Sequence, residues 1–403
     1  MHTTRLLLLA MFTAASLSAA PAPTPAPVDD PYYWLEEVEG AKPLAWVEAQ
    51  NKVSLAELTA APGYPALYAR LLAINDSRAR IPNVVKRGAF YYNFWQDAAN
   101  PRGLWRRTTP AEYRQENPAW ETVLDLDALA RTEKENWIWG SAIPLYPQNE
   151  RYLIRLSRGG GDAVVVREFD LPSKSFITVQ PFTLPEGKNN VAWLDRDTLF
   201  VGANTGPGAL TDSGYPRTVR LWRRGTPIAD APEVFAGEAT DVSVIGYASD
   251  EPGYHREFVR RAITFYTSET FIHRTGKLTK LDIPLDAQPG SYRDQFTVEL
   301  RTDWTTGGRT YPAGALLAMN YDRFLKGERD FAFLFTPSPR TALVGISDTK
   351  NHLIVNELDN VRNRLYTLTL RSEGNWERQP LAAPLFGSVS ASAVDADESD
   401  EFF

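Results

Sequence analysis

The sequence predicts a mainly-β protein: a seven-bladed β-propeller, its last blade incomplete, preceded by a short α-helical segment. Three observations carry this. From Ile81 onward, short β-branched or aromatic runs are divided by Gly, Pro, Asn and Asp clusters, as strands are by turns. A polar cluster leading into an apolar run recurs at Lys86, Asn149, Arg196, Lys350 and Ser399, with 47 residues from Asn149 to Arg196 and 49 from Lys350 to Ser399. Propeller blades run about 40–50 residues each. Before Ile81 the pattern is helical instead. The stretch between Arg196 and Lys350 has room for three units, and the longer first interval needs an insertion. On that count Ser399 opens a seventh unit. Two tandem β-sandwiches would also use these strands; the near-regular interval favours the propeller.

The elements follow in order. "MHTTRLLLLAMFTAASLSAAPAPTPAP" has Arg5, an apolar run from Leu6 to Leu17 and then small residues, the plan of a secretory signal. The run falls short of the about 20 apolar residues needed to span a bilayer. Residues 1–20 are therefore read as a signal peptide, 21–29 as a Pro/Ala-rich linker, and the mature protein as periplasmic or secreted, with no membrane span after signal removal. In the helical segment, 30–80, Asp30 caps a first helix with Pro31 at its first position, and Gly40 ends it. Pro43 opens a second, with Leu44, Val47, Leu55 and Leu58 near helical spacing, and "APG" at 61–63 stops it. Tyr64–Ala73 forms a third. The propeller region, 81–403, contains "GAFYYNFW", "RYLIRLS", "DAVVVREFDL", "DTLFVGA", "RTVRLWRR", "AITFYTS" and "HLIVNEL" as strands, and no long helix.

Composition narrows the chemistry. The 403 residues are 43% hydrophobic and 23% charged, ordinary for a globular protein. A net charge of −7, spread along the chain, implies no basic surface for nucleic acid. There is no cysteine, which removes disulfides, thiolate metal sites and a cysteine nucleophile.

Motif tests assign no catalytic, cofactor-binding or metal-binding residue. The G-x-S-x-G turn that exposes a hydrolase serine does not occur; the nearest phrase, "GISDT", matches at Gly345 and Ser347 but has Thr349 for the second glycine. The histidines are His2, His255, His273 and His352, none in a context suggesting a general base, and each past the signal reads as a surface or strand-edge residue. Asp125 and Asp127 alternate with Leu124 and Leu126, a strand or turn pattern. "DADESDE" starts like a calcium loop but has Asp400 where a turn glycine is needed. "GGG" at 159–161 lacks phosphate-loop spacing and reads as a hairpin turn. The arginine pair in "LWRRG" at 221–225 reads as a solvated turn.

"DPYYWLEEVEGAKPLAWVEAQN" at 30–51 resembles the start of the prolyl oligopeptidase family of serine peptidases, through Asp30-Pro31-Tyr32, Trp34-Leu35-Glu36, Trp46-Val47 and Gln50-Asn51. "VLDLDALA" at 123–130, "REFVRRAITFYTSE", "RTDWTTGGRTYPAGALLA", "FTPSPRTAL" and "TKNHLIVNELDNVRNRLYTL" extend the resemblance over nearly all of 30–403. It implies that the propeller caps an α/β-hydrolase domain that follows it, and restricts entry to short peptides. That catalytic domain, absent from this sequence, would supply the Ser, His and Asp of acyl transfer. The aromatics of 32–46 would then be a docking surface, the alternative being a local helical core; both readings expect them buried. The resemblance implies a serine-type endopeptidase cutting short peptides after proline, without a cofactor, this chain being inactive alone. Two other readings stand beside it: a stand-alone propeller that binds peptide or protein, and a peptidase of the same superfamily cutting after basic residues.

Overall fold

The computed structural model describes residues 30–403 except Val38, Leu385 and Phe386; the expected signal and linker lie outside them. The chain divides into two compact units between Asn75 and Asp76.

The first unit is helical. In place of the expected first helix there is a single 3-10 turn, Tyr33–Glu36. The Asp30 carboxylate accepts from the Tyr32 N–H, and Trp34 Nε1 donates to the Pro31 carbonyl, so side chains close the turn locally. Helix α1 runs Ala41–Thr59 with Gly40 as its N-cap. Pro43 is tolerated because the first turn of a helix has no partner for its N–H. Helix α2 spans Tyr64–Asn75. Trp46 packs against Tyr32 and Trp34, with ring centroids 6.5 and 6.1 Å away. Tyr32 and Tyr33 nevertheless remain 58% and 67% exposed, so the burial expected of them is not found.

Among the described residues the second unit is built from six antiparallel sheets, five of four strands and one of five, with a separate two-stranded hairpin. Sheet I holds β1 (Val85–Arg87), β2 (Phe90–Asp97), β3 (Asn100–Thr108) and β4 (Glu121–Asp125), with the short helices α3 (Pro110–Tyr113) and α4 (Leu126–Glu133) beside it. Sheet II holds β5 (Trp137–Pro144), β6 (Arg151–Arg158), β7 (Val164–Asp170) and β8 (Ser175–Phe176), and β9 (Thr183–Gly187) also pairs with β7. Sheet III is β10 (Asn190–Asp195), β11 (Thr198–Gly202), β12 (Thr218–Arg223) and β13 (Glu233–Ala236). Sheet IV is β14 (Ser243–Glu251), β15 (Tyr254–Ala262), β16 (Ser268–Arg274) and β17 (Lys277–Lys280). In sheet V, β18 (Gln288–Tyr292) and β19 (Gln295–Glu299) are separated from the next two strands by a hairpin, β20 (Trp304–Thr306) and β21 (Arg309–Tyr311). The sheet then continues with β22 (Leu316–Asn320) and β23 (Ala332–Phe335), α5 (Tyr321–Leu325) lying between them. Sheet VI is β24 (Thr341–Asp348), β25 (Leu353–Asp359), β26 (Arg362–Leu370) and β27 (Trp376–Leu381).

Alternation along each strand explains how the sheets stack. Tyr152, Ile154 and Leu156 of β6 join a core with Tyr92 and Trp105 of sheet I. Their neighbour Leu153 turns the other way, into a core with Leu199 and Val201 of sheet III. Phe200, one residue on, packs with Val244 and Val259 of sheet IV. Phe258 and Ile272 meet Phe296 and Leu317 of sheet V, while Leu316 and Ala318 meet Leu353 and Val355 of sheet VI. Strands buried on both faces therefore read as nearly continuous apolar runs. Gly246 permits a close approach of sheets III and IV, since a Cβ there would sit 2.7 Å from Phe200 Cβ.

The recurring turn phrases fall where the spacing placed them. Those at Lys86, Asn149, Arg196 and Lys350 mark the turn between first and second strands of sheets I, II, III and VI. The phrase at Ser399 lies between residues joined by the Ala393–Phe402 bridge. One strand expectation is overturned: in "AITFYTS", residues 263–267 form the β15–β16 connection. The Thr264 hydroxyl accepts from the N–H groups of Tyr266 and Thr267, closing a tight turn and leaving Phe265 and Tyr266 outside the ladder, 87% and 85% exposed.

Candidate functional site

The first strands of sheets I, II, IV and VI bring their turn ends together around a cavity of about 730 Å³. Lys86 and Arg87 enter it from β1, Tyr146 from the end of β5, Asp250 and Glu251 from β14, and Asp348 from β24. Asp395 and Asp397 of the C-terminal segment complete the wall. Lys86 Nζ donates to Asp395 Oδ2 at 2.9 Å and also to Glu398. Burial alone would lower its pKa; these two carboxylates outweigh that and raise it. Asp397 is held above the usual carboxylate range, first by burial and then by the charges of Asp395 and Asp348, with Tyr146 and Arg87 opposing. Tyr146 beside it is pushed up to about 12, by burial first and by Asp397 next.

A groove of about 620 Å³ adjoins it, sharing Tyr146, Asp250 and Glu251 and adding Arg151, Arg196 and His255. His255 Nδ1 lies 2.6 Å from Asp250 Oδ1, and its Nε2 is 3.4 Å from Glu257 Oε1. Glu257 Oε2 in turn lies 2.5 Å from His273 Nδ1. Burial pulls the His255 pKa down, but Asp250 and Glu257 raise it overall. His273 is buried inside sheet IV, not at a strand edge as expected, because Glu257 gives its imidazole a partner across the β15–β16 ladder. Two imidazoles and two carboxylates are thus linked in one chain of close polar contacts.

It contains no hydroxyl to activate. Ser347 Oγ donates to the Ala391 carbonyl at 2.7 Å, while His352 Nδ1 is shared with Thr369 Oγ1 at 2.8 Å. Serine and imidazole thus have separate partners, and the nucleophile–base pair needed for acyl transfer does not form from them.

The remaining motifs have structural work. Asp395 binds Lys86, whereas Asp400 accepts from Thr349 Oγ1 and the Asn351 N–H, so the carboxylates of "DADESDE" are drawn to different donors. Gly159 and Gly160 take positive φ in the β6–β7 hairpin, as a turn requires. Asp125 caps α4 through the Ala128 N–H, and Asp127 accepts from the Arg102 and Gly103 N–H groups. "LWRRG" needs a correction. Arg223 is exposed, but Arg224 makes a bidentate pair with Glu168 of sheet II at 2.8 and 3.0 Å. Glu168 is 1% exposed and 56 residues away, a distance no local pattern reports.

Sequence reasoning also missed a cavity of about 310 Å³ between sheets I and II, walled by Phe94, Trp105, Trp139 and Tyr152. The alternating aromatics of "FYYNFW" and "WIWG" carried that signal.

These sheets, stacked in chain order, form a β-propeller domain. Residues 18–403 match the family described as prolyl oligopeptidase, N-terminal beta-propeller domain, and the chain belongs to that family. An uncharacterized peptidase of Sinorhizobium fredii is 34% identical over 402 residues, a match covering 97% of this chain and 55% of the relative. An uncharacterized peptidase of Rickettsia prowazekii is 31% identical over 358 residues, 84% of this chain and 49% of the relative. The solved structure of a post-proline cleaving enzyme from Rickettsia typhi superposes with a TM-score of 0.82 at 29% identity, covering 87% of this chain and 53% of that one. Oligopeptidase B from Leishmania major shares the fold at 12% identity and a TM-score of 0.62, over 88% of this chain and 49% of that one. The chain spans about half the length of these relatives.

Proposed function

We propose that this chain is the gating, noncatalytic part of an exported serine-type oligopeptidase that hydrolyses short peptides after proline. The observation that carries the reading is the similarity to the Rickettsia typhi enzyme, 29% identical with a TM-score of 0.82. The nucleophilic Ser, its His base and the orienting Asp come from an α/β-hydrolase domain outside this sequence. In support, the sequence has no G-x-S-x-G, and Ser347 has no imidazole partner. The exposed rings of Tyr32, Tyr33 and Trp46 are the surface that such a domain would cover. Arg5 and the apolar run behind it direct export, with cleavage near Ala20.

The test is turnover of a fluorogenic proline-containing peptide by purified residues 21–403 beside a protein extended through a hydrolase domain. Activity confined to the extended protein is expected. Serine-inhibitor-sensitive turnover by the short chain overturns the proposal. An intact Met1 in a cytoplasmic fraction of the native host overturns the export part.

A further inference from the structure

His255 stands at the turn end of the β14–β15 hairpin, directly across the ladder from Asp250. Opposite residues share a face, so Asp250, His255 and, two positions on, Glu257 line one side of sheet IV. Glu257 is in turn opposite His273 of β16, whose ring packs on Phe200 of sheet III. The row runs from an exposed imidazole at the turn to a buried one inside the sheet. Both nitrogens of His255 face a carboxylate oxygen, Asp250 at 2.6 Å and Glu257 at 3.4 Å. A neutral imidazole has one N–H and one bare acceptor, and an ionised carboxylate only accepts. Both contacts are hydrogen bonds only when the ring carries two protons. Removing one sets a ring lone pair against an oxygen lone pair. The longer contact, to Glu257, is the one that breaks, because the shorter keeps the remaining N–H.

Other charges surround the ring. Glu251 and Tyr254 belong to the same turn, while Arg256 points to the other face of sheet IV, over Tyr321. Across the groove stand Asp195 and Arg196 of the β10–β11 turn, and Tyr146, Glu150, Arg151 and Asp170 of sheet II. Arg151 is paired with Asp170 at 3.2 Å, and Asp195 accepts from the Asp197 N–H at 2.7 Å. Among the described residues, only Asp250 and Glu257 pair with His255. The turn also reaches past its own hairpin. Glu251 accepts from Ser291 Oγ at 3.1 Å and from the Arg293 N–H at 2.6 Å, both in sheet V or its first turn.

We infer that the β14–β15 turn is a pH-sensitive switch: protonated His255 bridges Asp250 to Glu257 and fixes the turn, and loss of one proton releases Glu257 and leaves the groove wall one charge more negative. The direction follows from the surroundings. Burial opposes the charged ring, but Asp250 and then Glu257 outweigh it, so the pKa lies above the ordinary 6.5. The bridge is fully made below pH 6.5 and is lost as pH rises through the folded value. Histidine suits such a device because its charge changes near neutral pH. The switch stands on sheet IV alone and does not rest on the proposed peptidase reading.

The experiment records nitrogen NMR spectra of the histidine-labelled protein between about pH 5 and pH 9, which read protonation and tautomer at each ring. His255 is expected to titrate above 6.5 and to finish with its proton on Nδ1. The His273 ring signals should move in the same step, because Glu257 serves both rings. Hydrogen exchange, corrected for its intrinsic pH dependence, should show residues 250–255 opening about 2- to 5-fold more often above the step, the worth of an exposed ion pair. Asp250→Asn should lower the His255 titration. Glu257→Gln should abolish the exchange change while His255 stays tied to Asp250. A His255 titration that Asp250→Asn does not move overturns the bridge. A raised titration with exchange unchanged across it overturns the switch and leaves a plain ion pair.

Discussion

Lys86 of the first sheet and Asp395 of the C-terminal segment, 309 residues apart in sequence, meet at 2.9 Å. The segment that contributes Asp395 is fastened to sheet VI as well. Ser347 Oγ donates to the Ala391 carbonyl, Asn356 Nδ2 to the Val389 carbonyl, and the Lys350 N–H to the Ser399 carbonyl. On the other side, Phe403 lies 6.2 Å from the Tyr91 ring. Residues 389–403 therefore join the last four-stranded sheet to the first, through side chains and a backbone hydrogen bond where a blade would use a full ladder.

Replacing that lysine tests the join. Lys86→Met leaves Asp395 without its cation beside Asp397, so the loss exceeds that of an exposed pair. A destabilisation of about 1–3 kcal/mol is expected, the range for hydrogen bonds to charged groups. Hydrogen exchange should show residues 389–403 losing protection before the sheets do. Unchanged protection there would show that Lys86 does not hold the segment.

Asp397 gives a pH test whose direction follows from its surroundings. Its folded pKa is raised above the unfolded value of 3.8, so the folded state binds the proton more tightly. Stability from this group is present below pH 3.8 and is lost as pH rises through the folded pKa. Asp397→Asn removes the penalty at neutral pH. It should stabilise the protein by about 0.5–2 kcal/mol at pH 7, with the gain shrinking toward pH 3. Chemical denaturation at both pH values checks the sign.

The Arg224–Glu168 pair ties sheet III to sheet II. Arg224→Ala takes two charged donors from a carboxylate that is 1% exposed, leaves it the Phe182 N–H at 2.9 Å and Arg151 at 3.9 Å, and should cost about 1.5–3 kcal/mol. Arg224→Lys should recover little, because a single ammonium cannot reproduce contacts at 2.8 and 3.0 Å to both oxygens. Urea midpoints of the two variants decide this, and near wild-type stability of the lysine variant would refute the bidentate argument.

Val361 sits at φ 62° beside Asn360 at φ 47°, the two-residue tip joining β25 to β26. A β-branched residue is strained there, whereas Asn-Gly is the preferred pair for such a turn. Val361 is 89% exposed, so little packing is lost on replacing it. Val361→Gly should stabilise by about 0.5–1 kcal/mol, visible as a higher melting temperature.

The order of strands and turns was legible in the residues themselves. "RYLIRLS" buries alternate side chains in two cores and "HLIVNEL" is buried along consecutive residues, and that constraint writes itself into consecutive positions. The turn phrases were equally local, since Gly and Asn mark where the backbone must reverse. "AITFYTS" misled because its apolar content matched a strand while Thr264 and Thr267 hold it in a turn. What tertiary structure alone decided lies between segments distant in sequence: Arg224 on Glu168, His273 on Glu257, Lys86 on Asp395, and Arg87 with Tyr152 at one cavity. A charged or aromatic side chain in a strand looks the same whether it ends in water or against a neighbouring sheet. Only stacking the sheets assigns its partner, because those contacts depend on distance in space and have no counterpart in local spacing.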